Sequence, residues 1–239
     1  FPLMLLMLLL LPAGMVAQKA ASSSKYIATY ESSTQTLTFK ENVGETLPEN
    51  SAWVEDKQTV ATINKNLGNG TIVHIVFDKS FSTYTPTSLN SFFQSLTKLE
   101  TITGLEYLNT ENVTNMREMF ENCNNLTTLD VSKFNTSKVK SMRHMFQSCS
   151  NVPRLDVSGF DTRNVTDMSY MFNDCVGITS LDVSKFDTHN VTDMSGMFSA
   201  CLGITSLELS NFNTQNVTDM NNMFSNSKNI VTLDLSGFD

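Results

Sequence analysis

Four cysteines, Cys123, Cys149, Cys175 and Cys201, follow one another at one fixed 26-residue interval. Thiols can pair, ligate a metal or act as nucleophiles, and each use demands its own spacing. No Cys-x-x-Cys occurs, so neither a zinc clip nor a dithiol redox motif is present. The same interval governs a second reactive class. Asp130, Asp156, Asp182, Glu208 and Asp234 recur with that period, and Ser132, Ser158, Ser184, Ser210 and Ser236 stand two positions on. Carboxylates on a common phase can recognise a basic surface. The three histidines, His74, His144 and His189, sit in three different local contexts, so no base with an orienting partner can be named. No His-Glu-x-x-His, Gly-x-Ser-x-Gly, phosphate-binding Gly loop or calcium-loop pattern appears. The expectation is a protein without catalytic residues, metal or cofactor.

The elements that position these groups repeat with them. Val113, Val139, Val165, Val191 and Val217 open five units, and Met116, Met142, Met168, Met194 and Met220 follow three residues later. Met-Phe pairs come next, as at Met171-Phe172, and a Phe such as Phe186 closes each unit. Within a unit Val165, Met168, Met171 and Phe172 fall at i, i+3, i+6 and i+7, one face of a short helix. Asp167, Asp193 and Asp219 would lie in its first turn, where unpaired N–H groups favour a carboxylate. Leu181-Asp182-Val183 alternates with period two, a short half-buried strand with the acid outward. One such unit cannot bury its apolar face alone, so stacking on its neighbours is required. The predicted fold class is α/β: a leucine-rich-repeat-like solenoid with short parallel strands on one face, short helices on the other and an N-terminal capping region.

Three segments divide the chain. Residues 1–21 hold a Leu/Met run from Phe1 to Leu11, ended by Pro12 and followed by small and polar residues, the shape of a partial signal peptide. The run is too short to span a bilayer. Export is expected, with no membrane insertion of the mature region. Residues 22–86 read as a capping region whose Tyr26–Tyr30 and Thr36–Lys40 form a β-hairpin, with a further strand over 72–77. Residues 87–239 read as the repeat array. Its first copy is degenerate, with Phe92-Phe93, Leu96, Leu99 and Ile102 at an offset of 27, and its last is truncated. A net charge of -8 argues against nucleic acid, whose phosphates need clustered Lys and Arg.

Stacking turns each repeat position into a column rising about 4.8 Å per rung. The acids become a ladder whose neighbours repel by about 0.8 kcal/mol in water and about 3 kcal/mol near a protein surface. Asp130, Asp156, Asp182, Glu208 and Asp234, with Ser132, Ser158, Ser184 and Ser210, form the candidate ligand-binding face. It is either a recognition face for a basic partner or a solvated face that keeps the sheet from sticking to others. Cysteines on adjacent rungs lie within disulfide range, but parallel inward vectors and Ser227 at the fifth position favour buried free thiols. Asn112-Val113-Thr114, Asn164-Val165-Thr166, Asn190-Val191-Thr192 and Asn216-Val217-Thr218 have the form of glycosylation sequons, and their place before the helix suits turn and N-cap duty.

The unit Asn164-Val165-Thr166-Asp167-Met168 through Met171-Phe172, Cys175, Leu181-Asp182-Val183-Ser184 and Phe186-Asp187-Thr188 resembles the 26-residue leucine-rich-type repeat of BspA-like bacterial surface proteins. The resemblance runs from about Tyr26 to the end. It includes Val76-Phe77-Asp78-Lys79-Ser80-Phe81, Pro86-Thr87-Ser88 and Gly104-Leu105-Glu106 in the lead-in. It implies a secreted or cell-surface protein that adheres to a protein ligand on host, matrix or neighbouring cell. Two alternatives stand beside it. One is an architectural spacer with no ligand of its own. The other is lattice binding, to ice or polysaccharide, through the columns Thr136, Thr162, Thr188 and Thr214, which requires those threonines to be exposed.

Overall fold

A computed structural model describes residues 25–44 and 46–239. The signal segment expected over 1–21 lies outside the described residues. The chain opens with an antiparallel hairpin, β1 (Tyr26–Glu31) and β2 (Thr36–Glu41), in which Tyr26 faces Glu41 and Glu31 faces Thr36. A short strand β3 (Ser51–Trp53) adds to the free edge of β1. Helix α1 (Val60–Asn66) follows, started by the Thr59 hydroxyl, which accepts from the Thr62 N–H at 3.2 Å. β4 (His74–Phe77) then pairs in parallel with β2, and β5 (Thr101–Thr103) in parallel with β4. The hairpin is thus joined to the first rungs by a continuous sheet of order β3-β1-β2-β4-β5. Further along the chain β6 (Ser206–Glu208) and β7 (Thr232–Asp234) pair in parallel.

Between β5 and β7 the chain runs in stacked rungs. Isolated parallel bridges join Asn115 to Ser141, Ser141 to Asp167, Asp167 to Asp193 and Asp193 to Asp219, each step one repeat long. One unit's Val, Met, Met-Phe and Cys lie directly over the next unit's, and from Val113 to Cys201 these side chains are at most 1% exposed. The rings of Phe120, Phe146, Phe172, Phe198 and Phe224 stack face to face at 5.8–5.9 Å. Phe93 of the degenerate unit joins the same stack, its ring 5.0 Å from that of Phe120.

The short helices expected at the Met-Phe segments do not form. From Met116 to Cys123 the chain makes a run of overlapping i→i−3 turns, Met119 to Met116, Glu121 to Glu118 and Cys123 to Phe120. The intervening N–H groups of Met116, Glu118, Phe120 and Asn122 instead donate to Ser141, Arg143, Met145 and Gln147 of the next rung at 2.8–3.1 Å. A helix would direct every one of those donors back along its own axis. Here alternate donors tie rung to rung, which requires left-handed residues at Glu118 and Asn122, φ 58 and 59. An apolar pattern of i, i+3 and i+4 is satisfied equally by a helix and by such turns, which is why periodicity alone misled.

The acid-bearing segments do alternate as expected. Leu155 and Val157 are buried while Asp156 between them is exposed. Of these segments 206–208 and 232–234 have strand pairing, and an isolated Arg154–Ser180 bridge marks an earlier pair of rungs.

Candidate binding surface

Asp130, Asp156, Asp182 and Glu208 project outward from successive rungs, and Asp234 follows half-buried on the last. Each carboxylate accepts the N–H of the serine two residues on. The distances are 3.0 Å from Ser132, 3.0 Å from Ser158, 2.9 Å from Ser184, 3.3 Å from Ser210 and 2.8 Å from Ser236. The Ser158 hydroxyl adds a second bond to Asp156 at 2.7 Å. These turns hold each acid against its own backbone. The serine bonds also pull the carboxyls of Asp130, Asp156, Asp182 and Asp234 below the usual carboxylate range. Repulsion from the acid one rung on opposes that shift at Asp130 and Asp156. Lys133 and Lys185 lie close enough to support it. The carboxyls of Asp130, Asp156, Asp182 and Asp234 are therefore charged at neutral pH, and the exposed Arg154 stands two residues before Asp156.

The threonine columns occupy the opposite environment. Thr136, Thr162 and Thr188 are each 1% exposed and Thr214 is 4%. The Thr162 hydroxyl accepts from the Asp187 N–H at 2.8 Å and donates to the Asp187 carbonyl at 2.9 Å. Thr136 clamps Asp161, and Thr188 clamps Asn213, in the same way. Buried and spent on backbone, these hydroxyls present nothing to a lattice, and the ice or polysaccharide reading is withdrawn.

All four cysteines are free and buried. Burial pushes the thiols of Cys123 and Cys201 up to about 12 and those of Cys149 and Cys175 well above the usual range. Three of the four sequon asparagines reach backward along the stack: Asn164, Asn190 and Asn216 donate side-chain N–H to the carbonyls of Ser137, Arg163 and His189 at 2.7–2.8 Å, while the Asn112 side chain accepts from Lys138 at 2.8 Å. Their duty is to join rungs, not to cap helices.

A polar cluster on the turn side escaped the sequence reading. Glu118 accepts from Arg117 at 2.8 Å, from Ser91 at 3.0 Å and from Gln94 at 3.1 Å. Burial raises its carboxyl pKa, but these bonds outweigh burial and leave it below the usual range. His144, one rung on, bonds Gln147 and stacks on Tyr170 at 4.9 Å, and Tyr170 in turn lies over Gly196. The signal was a column, Glu118, His144, Tyr170, Gly196 and Asn222, that varies where its neighbours repeat.

Among the described residues no group of three or more His, Cys, Asp or Glu is placed to hold a metal. No described helix is long and apolar enough to cross a membrane.

The family described as "Mycoplasma protein of unknown function, DUF285" matches residues 87–181 and again 151–239. No curated protein matches the chain. Among solved structures, the crystal structure of a leucine-rich cell surface protein from Faecalibacterium prausnitzii A2-165 is similar at 18% identity and a TM-score of 0.34. The match covers 89% of this chain and 53% of that one, so the chain spans about half the length of that protein.

Proposed function

This chain belongs to the DUF285 family, and we propose that it is a binding module of the BspA-like type, secreted or displayed at a cell surface, that recognises a basic protein partner rather than catalysing a reaction. The observation that supports the reading is the outward acid on successive rungs, Asp130, Asp156, Asp182 and Glu208, each held by its own serine turn. A charged ladder on a rigid frame raises the encounter rate with a positively charged protein and fixes the register in which it docks. Its partner is a protein on a host cell, in a matrix or on a neighbouring cell, and it uses no cofactor, metal or nucleic acid. Thr136, Thr162, Thr188 and Thr214 are buried and offer no competing surface.

The test is a binding titration of the whole chain against an oligolysine peptide and against host cells, beside the variant Asp130→Asn/Asp156→Asn/Asp182→Asn/Glu208→Gln. Loss of at least about tenfold in affinity for both, with a steep salt dependence in the parent, is expected. Undiminished binding by the neutral variant would remove the recognition role. The serine turns that engage the acids also suit a spacer with a solvated face, and that second reading takes its place if the variant binds as well as the parent.

A further inference from the structure

One rung breaks the charge pattern of the chain. Between Asp130 and Asp156 there is no acid, and Lys133, Lys138, Lys140, Arg143 and Arg154 all fall there, in a chain of net charge -8. Lys138 and Lys140 are exposed, one turn of the chain beyond the acid face. The Lys140 N–H donates to the Thr114 carbonyl and the Lys140 carbonyl accepts the Thr166 N–H, both at 2.9 Å, and Thr192 bonds Thr166 in the same way. Thr114, Lys140, Thr166 and Thr192 thus form one exposed column on a backbone ladder, separate from the buried column of Thr136. Beside it the Lys138 Nζ donates to the Asn112 Oδ1 at 2.8 Å, and Asn164, one rung on, spends a side-chain N–H on the Ser137 carbonyl. Arg163 is 68% exposed and engages Asp161 through Nε alone, and with Lys185 it lines a cleft of about 430 Å³.

The acids near this surface are occupied or marginal. Asp161 accepts from Arg163 and Asp187 from His189. Asp167 and Asp193 are half-buried and accept the N–H groups of Ser169 and Ser195 at 3.0 and 2.8 Å. Glu111 bounds the surface, one residue before Asn112. The side chains between the polar positions, Val113, Val139, Val165, Met116, Met142 and Met168, are 0% exposed, so a protein or a bilayer finds no apolar anchor. Phe134, Phe160 and Phe186 are buried as well, so unpaired bases find no ring to stack on. What remains on offer is cations set among amides and hydroxyls, the partners of hydroxyl-bearing rings with anionic substituents.

We propose that Lys138, Lys140 and Arg163, flanked by Asn164 and Thr166, form a second binding site, for an anionic polysaccharide carrying sulfate or carboxylate groups. The three cations hold the anionic groups, and Asn164 and Thr166 meet ring hydroxyls. Charge, not lattice match, selects this ligand. The inference stands apart from the acid face and its basic partner.

The whole chain is titrated with a sulfated dextran oligosaccharide, with an oligogalacturonate and with a single-stranded oligonucleotide of equal charge. Binding of the first assigns sulfate and binding of the second assigns carboxylate, in either case at least about tenfold tighter than the oligonucleotide. Lys138→Gln/Lys140→Gln should weaken that binding at least about tenfold, through the loss of two charge-assisted contacts, while the melting temperature holds. Lys65→Gln/Lys79→Gln removes the same charge from exposed positions on α1 and in the 79–83 turn, and should change it less than about twofold. Neutralising Asp130, Asp156, Asp182 and Glu208 should not weaken it, which keeps the two sites distinguishable. Three results overturn the proposal: neither oligosaccharide binds, the Lys65/Lys79 pair weakens binding as much as the Lys138/Lys140 pair, or the oligonucleotide binds as tightly as the oligosaccharides.

Discussion

The thiol of Cys175 donates a hydrogen bond to the carbonyl of Phe146, one rung back, at 3.0 Å. Cys123, Cys149 and Cys201 do the same to Phe93, Phe120 and Phe172, and Ser227 ends the series with its hydroxyl on Phe198. The column requires a short side chain with a donor, and sulfur chemistry is not what selects it. Cys175→Ser should therefore cost less than about 1 kcal/mol. Cys175→Val, which loses the donor and adds a carbon between packed rungs, should cost about 1–3 kcal/mol. Urea unfolding of both variants decides the point, and equal losses would mean that the donor is irrelevant.

The same burial should make the thiols inert. A disulfide reagent at pH 8 is expected to label none of the four cysteines of the folded chain and all four in denaturant, with no mass change on reduction. Rapid labelling of the folded chain would show that the rungs open.

Stability should be limited on both sides of neutrality. The thiol pKa values are raised on folding, so their contribution is complete below the unfolded value of about 8.5 and fades as pH climbs toward the folded values. The carboxyl pKa values of Asp130, Asp156 and Asp182 are lowered, so their contribution is complete above about 3.9 and is lost as pH falls further. Melting temperature against pH should form a plateau between those limits, and a monotonic rise into alkali would contradict the buried-thiol geometry.

Thr162→Val keeps the volume of a clamp residue and removes its hydroxyl, so both the N–H and the carbonyl of Asp187 lose the partner they share. The expected loss is about 1–3 kcal/mol, while Thr162→Ser retains most of the stability. Chemical denaturation of the pair separates the hydroxyl from the methyl group.

Gly196 stands at φ 59, and a Cβ there would lie 2.3 Å from the ring of Tyr170. Gly196→Ala should destabilise by about 1–3 kcal/mol through overpacking against the ring. In a double-mutant cycle Tyr170→Ala should recover at least about 0.5 kcal/mol of it. Additive losses would place the strain in the backbone alone.

How far these features were legible depends on what each one leaves in the chain. The interval between Cys123 and Cys149, the inward Leu and Val around Asp156 and the hairpin of β1 and β2 are written in residue type, because burial and alternation select for type. The turns at the Met-Phe segments are not. Their defining residues at positive φ, among them Glu118, His144, Tyr170 and Ala200, share a conformation and no chemistry. Each carries roughly 1–2 kcal/mol of local strain that the hydrogen bonds between rungs offset. For the candidate face, the outward direction of the acids could be read from alternation, but their capture by Ser132, Ser158 and Ser184 depends on turn geometry that alternation does not encode. The clamps of Thr136 and Thr162 were hidden for a related reason: a threonine column looks the same in sequence whether it faces water or backbone.

The bonds from Met116 to Ser141, Met142 to Asp167, Met168 to Asp193 and Met194 to Asp219 all point along the direction in which the rungs pile up. A tensile load between the two ends would stretch them lengthwise instead of shearing them sideways, and each boundary would carry the full force by itself. Mechanical failure would then proceed as a sequence of small ruptures of similar strength, each releasing one unit's length of chain.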